Sequence, residues 1–79
     1  MYFIYIIQCA DGSLYTGITT DVAQRFAEHQ AGTAARYTRS HKPIEIVYQE
    51  KHASRSAALK REVEIKKLPR TRKMRLFGR

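Results

Sequence analysis

The opening stretch of the chain constrains its fold more than any other feature. Residues Tyr2–Gln8 are rich in aromatic and β-branched side chains, and a similar segment, Leu14–Thr19, follows after Asp11-Gly12. Such segments predict β-strands, and an Asp-Gly pair between them predicts a tight turn. The first segment shows no alternation of polar and apolar residues, so we expect both of its faces to be covered. The chain is therefore expected to fold around an antiparallel hairpin.

Two registers of this hairpin are possible, and they differ in where two tyrosines point. With a two-residue loop, Tyr5 and Tyr15 would project from opposite faces, because side chains on a strand alternate. With a three-residue loop in which Gly12 is left-handed, Tyr5 would lie opposite Gly17 and share a face with Tyr15. The sequence alone leaves both registers open, and a site built on both tyrosines requires the second.

The remaining elements are predicted from helix-capping residues, from the spacing of apolar residues, and from glycine and proline residues that end a helix. We expect a helix capped by Thr20 or Asp21 and running to about Ala31, a strand over Ile44–Glu50, and a helix capped by Ser54 or Ser56 and running to about Leu68. Gly32–Pro43 is expected to be an exposed basic loop, and Arg70–Phe77 to form one or two basic turns. The fold class is then α+β, a single ββαβα(α) domain over residues 1–79 with a three-stranded antiparallel sheet flanked by helices.

Two residues of the first helix are candidates for a site. Arg25 and His29 are four positions apart and so lie one above the other on one face. They adjoin the buried stripe marked by Val22 and Phe26. An arginine in this position can reach over the edge of the core toward the hairpin.

One acid of the last long helix is also a candidate. A projection at about 100° per residue places Glu62 between Ile65 and Leu59, inside an apolar stripe that also includes Val63. A carboxylate in such a stripe is costly unless it is paired or binds a metal. The alternative interpretation of Glu62 is a structural ion pair with an arginine or a lysine.

Strict alternation in the predicted third strand places Ile44, Ile46 and Tyr48 on one side. The opposite side then carries Glu45, Val47 and Gln49.

Charge limits the class of partner. The chain has 15 Lys and Arg against 7 Asp and Glu, a formal net charge of +8, and the basic residues crowd the segment from Lys51 to Arg79. Such a surface attracts polyanions, so nucleic acid is the expected partner, with a merely solvated basic face as the alternative. Six side chains are expected to contact nucleic acid: Tyr37, Arg39, Lys42, Arg70, Arg72 and Lys73.

Other classes of protein are disfavoured. The single cysteine, Cys9, allows no intrachain disulfide. The apolar start is shorter than the roughly 20 residues of a membrane span and lacks the features of a signal peptide. We therefore expect a cytoplasmic protein without a membrane partner.

The order of these elements and residues resembles the GIY-YIG nuclease domain. The two half-motifs correspond to Phe3-Ile4-Tyr5 and Tyr15-Thr16-Gly17, and Arg25 follows at the family's spacing. Glu62, within the segment AALKREVEIKK, resembles the family's acid. The sequence departs from the family at Ile18, where many members carry a lysine, and it contains no asparagine.

This resemblance implies hydrolysis of a phosphodiester with a single divalent ion, Mg²⁺ or Mn²⁺, held by Glu62. It also implies that Tyr15 acts as the general base, that His29 takes the proton onward, that Arg25 stabilises the phosphate, and that Tyr5 orients water or phosphate. DNA is favoured over RNA as the substrate. The alternative function is a non-catalytic, basic nucleic-acid-binding module on the same fold. A homodimer, or a partner that supplies specificity, is left open.

Overall fold

The computed structural model describes residues 1–78; Arg79, at the end of the predicted 1–79 domain, lies outside them. The described residues form seven elements: β1 (Tyr2–Cys9), β2 (Leu14–Thr19), α1 (Val22–Ala31), α2 (Arg36–Ser40), β3 (Pro43–His52), α3 (Arg55–Lys67) and α4 (Arg70–Leu76). The three strands form one antiparallel sheet in the order β2-β1-β3. The predicted α+β class and three-stranded sheet are confirmed.

The β1–β2 turn adopts the second of the two registers. Gly12 has φ +84°, and its backbone N–H donates to the carbonyl of Cys9 at 2.9 Å. Asp11 accepts hydrogen bonds from the backbone and the hydroxyl of Ser13 at 3.0 and 2.6 Å, which stabilises the loop locally. Tyr5 consequently pairs with Gly17, and Tyr15 lies on the same face of the sheet as Tyr5.

The central strand, β1, separates two apolar clusters. On one face Ile4 and Ile6 pack with Ile65 of α3, and residues of α4 lie against them. On the other face Tyr5, Ile7 and Cys9 form a cluster that α1 covers. Both faces of β1 are buried, as its unbroken apolar sequence predicts.

A bulge in β3 corrects the predicted faces of that strand. The register against β1 shifts between Ile6 and Ile7, which pair with Tyr48 and Ile46, so Val47 is the extra residue. Ile46 therefore packs against the cluster of Tyr5, whereas Tyr48 packs against the cluster of Ile4. Strict alternation predicts that Ile44, Ile46 and Tyr48 share one side of the strand. That prediction is wrong, because Ile46 and Tyr48 pack on opposite faces and Ile44 is half exposed.

The segment predicted as a basic loop contains a short helix, α2. Its N-cap, Ala35, makes no side-chain capping hydrogen bond, and the helix has only five residues. It therefore carries neither a capping signal nor a readable period, and the prediction of an irregular loop over Gly32–Pro43 is wrong at this point.

The buried stripe of α3 is rotated from its predicted position. Ser54 caps the helix by accepting from the backbone N–H of Ala57, and Ala58 and Ile65 are fully buried. Leu59 and Val63, expected inside the stripe, are 36% and 48% exposed. The reason is that α3 is held by a polar contact on its other side, where Arg61 binds Glu50 of β3 at 3.0 Å.

None of the helices in residues 1–78 has the length and apolar character needed to cross a membrane.

Candidate active site

Tyr5 and Gly17 form the floor of the site. The Tyr5 side chain is 1% exposed and extends across Gly17 on the neighbouring strand. A Cβ atom at position 17 would overlap the hydroxyl oxygen of Tyr5 and its Cζ atom. Gly17 is therefore required for the position of the Tyr5 hydroxyl, not for any unusual backbone angle.

His29 links the floor of the site to α2. Its side chain is fully buried, its Nε2 lies 2.8 Å from the Tyr5 hydroxyl oxygen, and its Nδ1 lies 2.7 Å from the Thr38 hydroxyl oxygen. Both ring nitrogens therefore have partners. The sequence had suggested that His29 receives a proton from Tyr15, but the geometry directs His29 to Tyr5 instead.

Arg25 lies one turn before His29 and faces the same tyrosine. Its guanidinium is near enough to Tyr5 to lower the pKa of that tyrosine, and Nη1 pairs with Glu28 at 3.1 Å. A third contact, from Nη2 to the carbonyl of Ala34 at 3.5 Å, ties Arg25 to the segment before α2. The Arg25 side chain remains 37% exposed, so it is accessible from solvent.

Tyr15 belongs to a series of ring contacts that leads from the site to the surface. Its ring centroid lies 5.0 Å from that of His29 and 6.5 Å from that of Tyr5. Tyr37 of α2 stacks on Tyr15 at 5.8 Å, and His41 stacks on Tyr37 at 4.1 Å. Tyr37, predicted to contact nucleic acid from a loop, thus makes ring contacts within the protein and is 36% exposed.

Glu62 approaches the site from α3. Its side chain is 15% exposed and pairs with Lys66, one turn later, at 3.6 Å. Its negative charge is close enough to contribute to raising the pKa of Tyr5. Glu62 therefore makes the ion pair with a lysine that was its alternative interpretation, and its charge also acts on Tyr5.

Glu62 brings a single carboxylate to this side of the site. Within residues 1–78 no group of three or more His, Cys, Asp or Glu side chains could jointly hold a metal. A cation here would rely on one carboxylate, water and a substrate oxygen, which is how Mg²⁺ is commonly bound at phosphate-processing sites. Lys66 is 51% exposed and can move away from the carboxylate without loss of packing.

Burial is the main influence on the protonation of Tyr5 and His29. Burial raises the pKa of Tyr5 to about 12, although the hydrogen bond from Arg25 opposes the rise. Burial also lowers the pKa of His29, and the positive charge of Arg25 lowers it further. At neutral pH the site therefore holds a protonated Tyr5, a neutral His29 and a charged Arg25.

The predicted nucleic-acid contacts are divided between two sides of the fold. Arg39 and Lys42 are exposed around α2, on the face of the sheet that carries Tyr15. Arg70 donates to the carbonyl of Gly12 at 2.5 Å, so it also fastens α4 to the hairpin turn. Arg72 is exposed on α4, and Lys73 is half-buried.

Thr38 is a site residue that the sequence analysis missed. It is 2% exposed, and its hydroxyl contacts both His29 and the carbonyl of Ala35, the latter at 3.3 Å. A threonine in a segment taken for an exposed loop gives no signal of such a role. The helix that buries it would have to be known first.

Comparison with known proteins agrees with this arrangement. The family model described as the GIY-YIG catalytic domain matches residues 1–75. A UPF0213 protein of Natronomonas pharaonis is 52% identical over 77 residues, covering 98% of this chain and 91% of that protein. A UPF0213 protein of Desulfotalea psychrophila is 55% identical over 76 residues, covering 95% of this chain and 69% of that protein.

A solved structure shares the fold. The solution NMR structure of a UPF0213 protein from Bacillus halodurans is 42% identical, with a TM-score of 0.61, and the match covers 96% of this chain and 82% of that one. The matched span includes both half-motifs, Arg25 and Glu62. This chain belongs to the GIY-YIG domain family.

Proposed function

We propose that this chain is a divalent-metal-dependent endonuclease that hydrolyses phosphodiester bonds in nucleic acid, with DNA as the expected substrate. The observation that carries the proposal is the convergence of two tyrosines, a half-exposed arginine and a nearly buried acid around one hydroxyl. Tyr5 contacts Arg25 and His29, Tyr15 packs on His29, and the charge of Glu62 acts on Tyr5. A protein that only binds nucleic acid needs surface cations and has no use for this inner set.

Arg25 supplies the positive charge for the phosphate. One side of its guanidinium is exposed beside Tyr5, where donors in a fixed fork can bind two phosphate oxygens. Its pairing with Glu28 and Ala34 holds the side chain in place before substrate arrives. Preorganised charge of this kind stabilises the negative charge that develops on the phosphate during hydrolysis.

The two tyrosines have different roles in this proposal. Tyr5 is closed off from solvent and its pKa is raised to about 12, so it keeps its proton and orients water or phosphate. Tyr15 is half-buried and acts as the general base on the attacking water, while its own proton passes to solvent. His29 supports Tyr5 rather than Tyr15 because both of its nitrogens are engaged elsewhere.

Glu62 would hold the cation, Mg²⁺ or Mn²⁺. The bound ion would supply charge stabilisation to the phosphate and to the leaving oxygen. Glu62 suits this role because its charge acts on Tyr5 and its ion-pair partner, Lys66, is a half-exposed residue.

The test is cleavage of labelled single-stranded, double-stranded and branched DNA, and of RNA, with Mg²⁺, with Mn²⁺ and with chelator. Glu62→Gln is compared with Glu64→Gln, an exposed acid on the same helix, and Tyr15→Phe with Tyr2→Phe. We expect metal-dependent cleavage that falls about a hundredfold or more in the two site variants and is retained in the two controls.

The opposite outcome would favour the second function. Salt-sensitive binding, unchanged by metal and equal in all five proteins, with no cleavage of any substrate, would identify a basic binding module instead.

A further inference from the structure

A continuous series of hydrogen bonds runs from Tyr5 to the backbone of α2. It passes from the Tyr5 hydroxyl to Nε2 of His29, and from Nδ1 of the same ring to the Thr38 hydroxyl and on to the Ala35 carbonyl. We infer that Thr38 is a positioning residue that fixes the tautomer of His29 and, through it, the direction in which the Tyr5 O–H points. The effect on catalysis rests on the proposed nuclease function; the effect on the tautomer does not.

The charge of Arg25, which acts on Tyr5, limits where the Tyr5 proton can go. A guanidinium has donors and no acceptor, so the Tyr5 hydroxyl cannot donate its proton to Arg25. The single proton of Tyr5 is then left for another partner. The partner that faces it is Nε2 of His29 at 2.8 Å, which must therefore be without a proton.

The contacts of Thr38, at the other end of the series, give the same direction of hydrogen-bond donation. The carbonyl of Ala35 is an acceptor only, so the Thr38 hydroxyl donates to it at 3.3 Å. The Thr38 oxygen is then free to accept from His29, and the distance to Nδ1 is 2.7 Å. His29 is thus expected to carry its proton on Nδ1 and to have none on Nε2.

If the donors and acceptors along the series were reversed, a buried proton would be left without an acceptor. If Thr38 donated to Nδ1, then Nε2 would donate to the Tyr5 oxygen. The Tyr5 proton would have to leave the series, although the side chain is 1% exposed. A buried donor without a partner costs about 1–3 kcal/mol, which favours the first order.

The direction of the Tyr5 O–H decides what the site can accept. With its proton turned to His29, Tyr5 keeps its oxygen lone pairs for donors such as the Arg25 guanidinium, whose charge acts on it. With the proton turned away from His29, the same hydroxyl would present a donor to that guanidinium, which has no acceptor. The hydroxyl of Thr38 thus selects between two site surfaces without touching substrate.

Nuclear magnetic resonance tests the inference directly. Long-range ¹H–¹⁵N spectra at pH 7.5 distinguish protonated from unprotonated ring nitrogens, and His41→Gln and His52→Gln assign the remaining signals. We expect a protonated Nδ1 and an unprotonated Nε2 at His29. The reverse tautomer in the wild-type protein would overturn the inference, and this measurement needs no variant at position 38.

Two variants separate the hydroxyl from the shape of the side chain. Thr38→Val removes the hydroxyl, and we expect it to shift His29 toward the Nε2-protonated tautomer, whereas Thr38→Ser restores the wild-type spectrum. Thr16→Val, at a buried threonine on the opposite face of the sheet, is the matched control and should leave the His29 signals unchanged. An unchanged tautomer in folded Thr38→Val would also overturn the inference.

Kinetics connects the tautomer to the reaction. We expect kcat to fall about tenfold or more in Thr38→Val with KM unchanged, and to recover in Thr38→Ser, as for other residues that orient a catalytic group. The expected tautomer in a protein that cleaves no substrate would support the hydrogen-bond order and overturn the nuclease function. Full kcat in Thr38→Val with a shifted tautomer would overturn the catalytic role of Thr38.

Discussion

Gly17 lies opposite Tyr5 in the β1–β2 pair, and the space of a side chain at position 17 is filled by the Tyr5 hydroxyl and the ring carbon that bears it. That hydroxyl bonds His29 at 2.8 Å, so the absent side chain on β2 allows a strand residue to reach a helix residue. The glycine of the second half-motif and the tyrosine of the first are thus two parts of one contact.

Replacing Gly17 by alanine should displace Tyr5 and break its bond to His29. We expect the free energy of unfolding to fall by about 1–3 kcal/mol, as for other overpacked cores, measured by urea denaturation. In a Tyr5→Phe background the same change should cost less, because the overlap with the hydroxyl is gone. Phenylalanine keeps the Cζ atom that also overlaps, so additive costs in the double variant would show that the hydroxyl itself is not the cause.

The elements that the sequence predicts best are those that local chemistry decides. The Asp-Gly turn and the unbroken apolar strand predicted the hairpin, and the caps predicted α1 and α3 to within a few residues. The register could not be chosen because both loop lengths suit Asp11-Gly12; tertiary packing around Tyr5 favours the three-residue loop. The same packing makes Tyr5 and Tyr15 share a face.

The predictions that were wrong concern features that depend on contacts between residues far apart in the sequence. The bulge at Val47 arises from pairing with β1, so no pattern within β3 reveals it. The rotation of α3, which exposes Leu59 and Val63, follows from the contact between Arg61 and Glu50. Thr38 gains its role only when α2 lies against His29.

Removing the hydroxyl of Thr16 should not destabilise the protein. This side chain is 4% exposed, and its Oγ1 has no hydrogen-bond partner among the described residues. A buried hydroxyl without a partner is unfavourable, so Thr16→Val should leave the melting temperature unchanged or raise it. A clear fall would mean that the hydroxyl is bonded in solution, for example by a buried water.

Arg61 should be the polar residue of α3 whose loss most disturbs the seating of that helix on the sheet. Its Nε lies 3.0 Å from both oxygens of Glu50, which also accepts from Tyr48 and His52. Arg61→Met should lower the free energy of unfolding by about 1–3 kcal/mol, since it leaves a half-buried carboxylate with weaker partners. Lys60→Met removes an exposed charge from the same helix and serves as the control; equal losses in urea denaturation would contradict this role.

Lys66 should compete with a cation for Glu62. Because its Nζ lies 3.6 Å from the carboxylate, Lys66→Met should strengthen binding of Mn²⁺, read from paramagnetic broadening of resonances near Glu62. Lys67→Met removes the same charge from the neighbouring position and corrects for the general loss of positive potential. Equal Mn²⁺ affinities in the two variants would show that the ion pair does not limit access to the carboxylate.

Stability should fall in mildly acidic solution because of His29. Burial lowers the pKa of His29 below its usual value of about 6.5, and Arg25 adds to this while Glu28 opposes it. As the pH falls through 6.5, the unfolded chain binds a proton that the folded chain does not. The free energy of unfolding should therefore decrease from about pH 7 to pH 5, in the direction set by proton linkage.

The surroundings of His29 make this assignment testable. The groups that face its ring are Arg25 and Glu28 from α1, Tyr5 and Tyr15 from the strands, and Thr38 from α2. Urea denaturation at pH 7.5, 6.5 and 5.5 in a His41→Gln, His52→Gln background isolates the effect, and NMR titration follows the ring itself. A stability that is flat over this range, with His29 titrating at or above pH 6.5, would show that the buried ring accepts a proton without cost, and that burial and Arg25 do not hold it neutral.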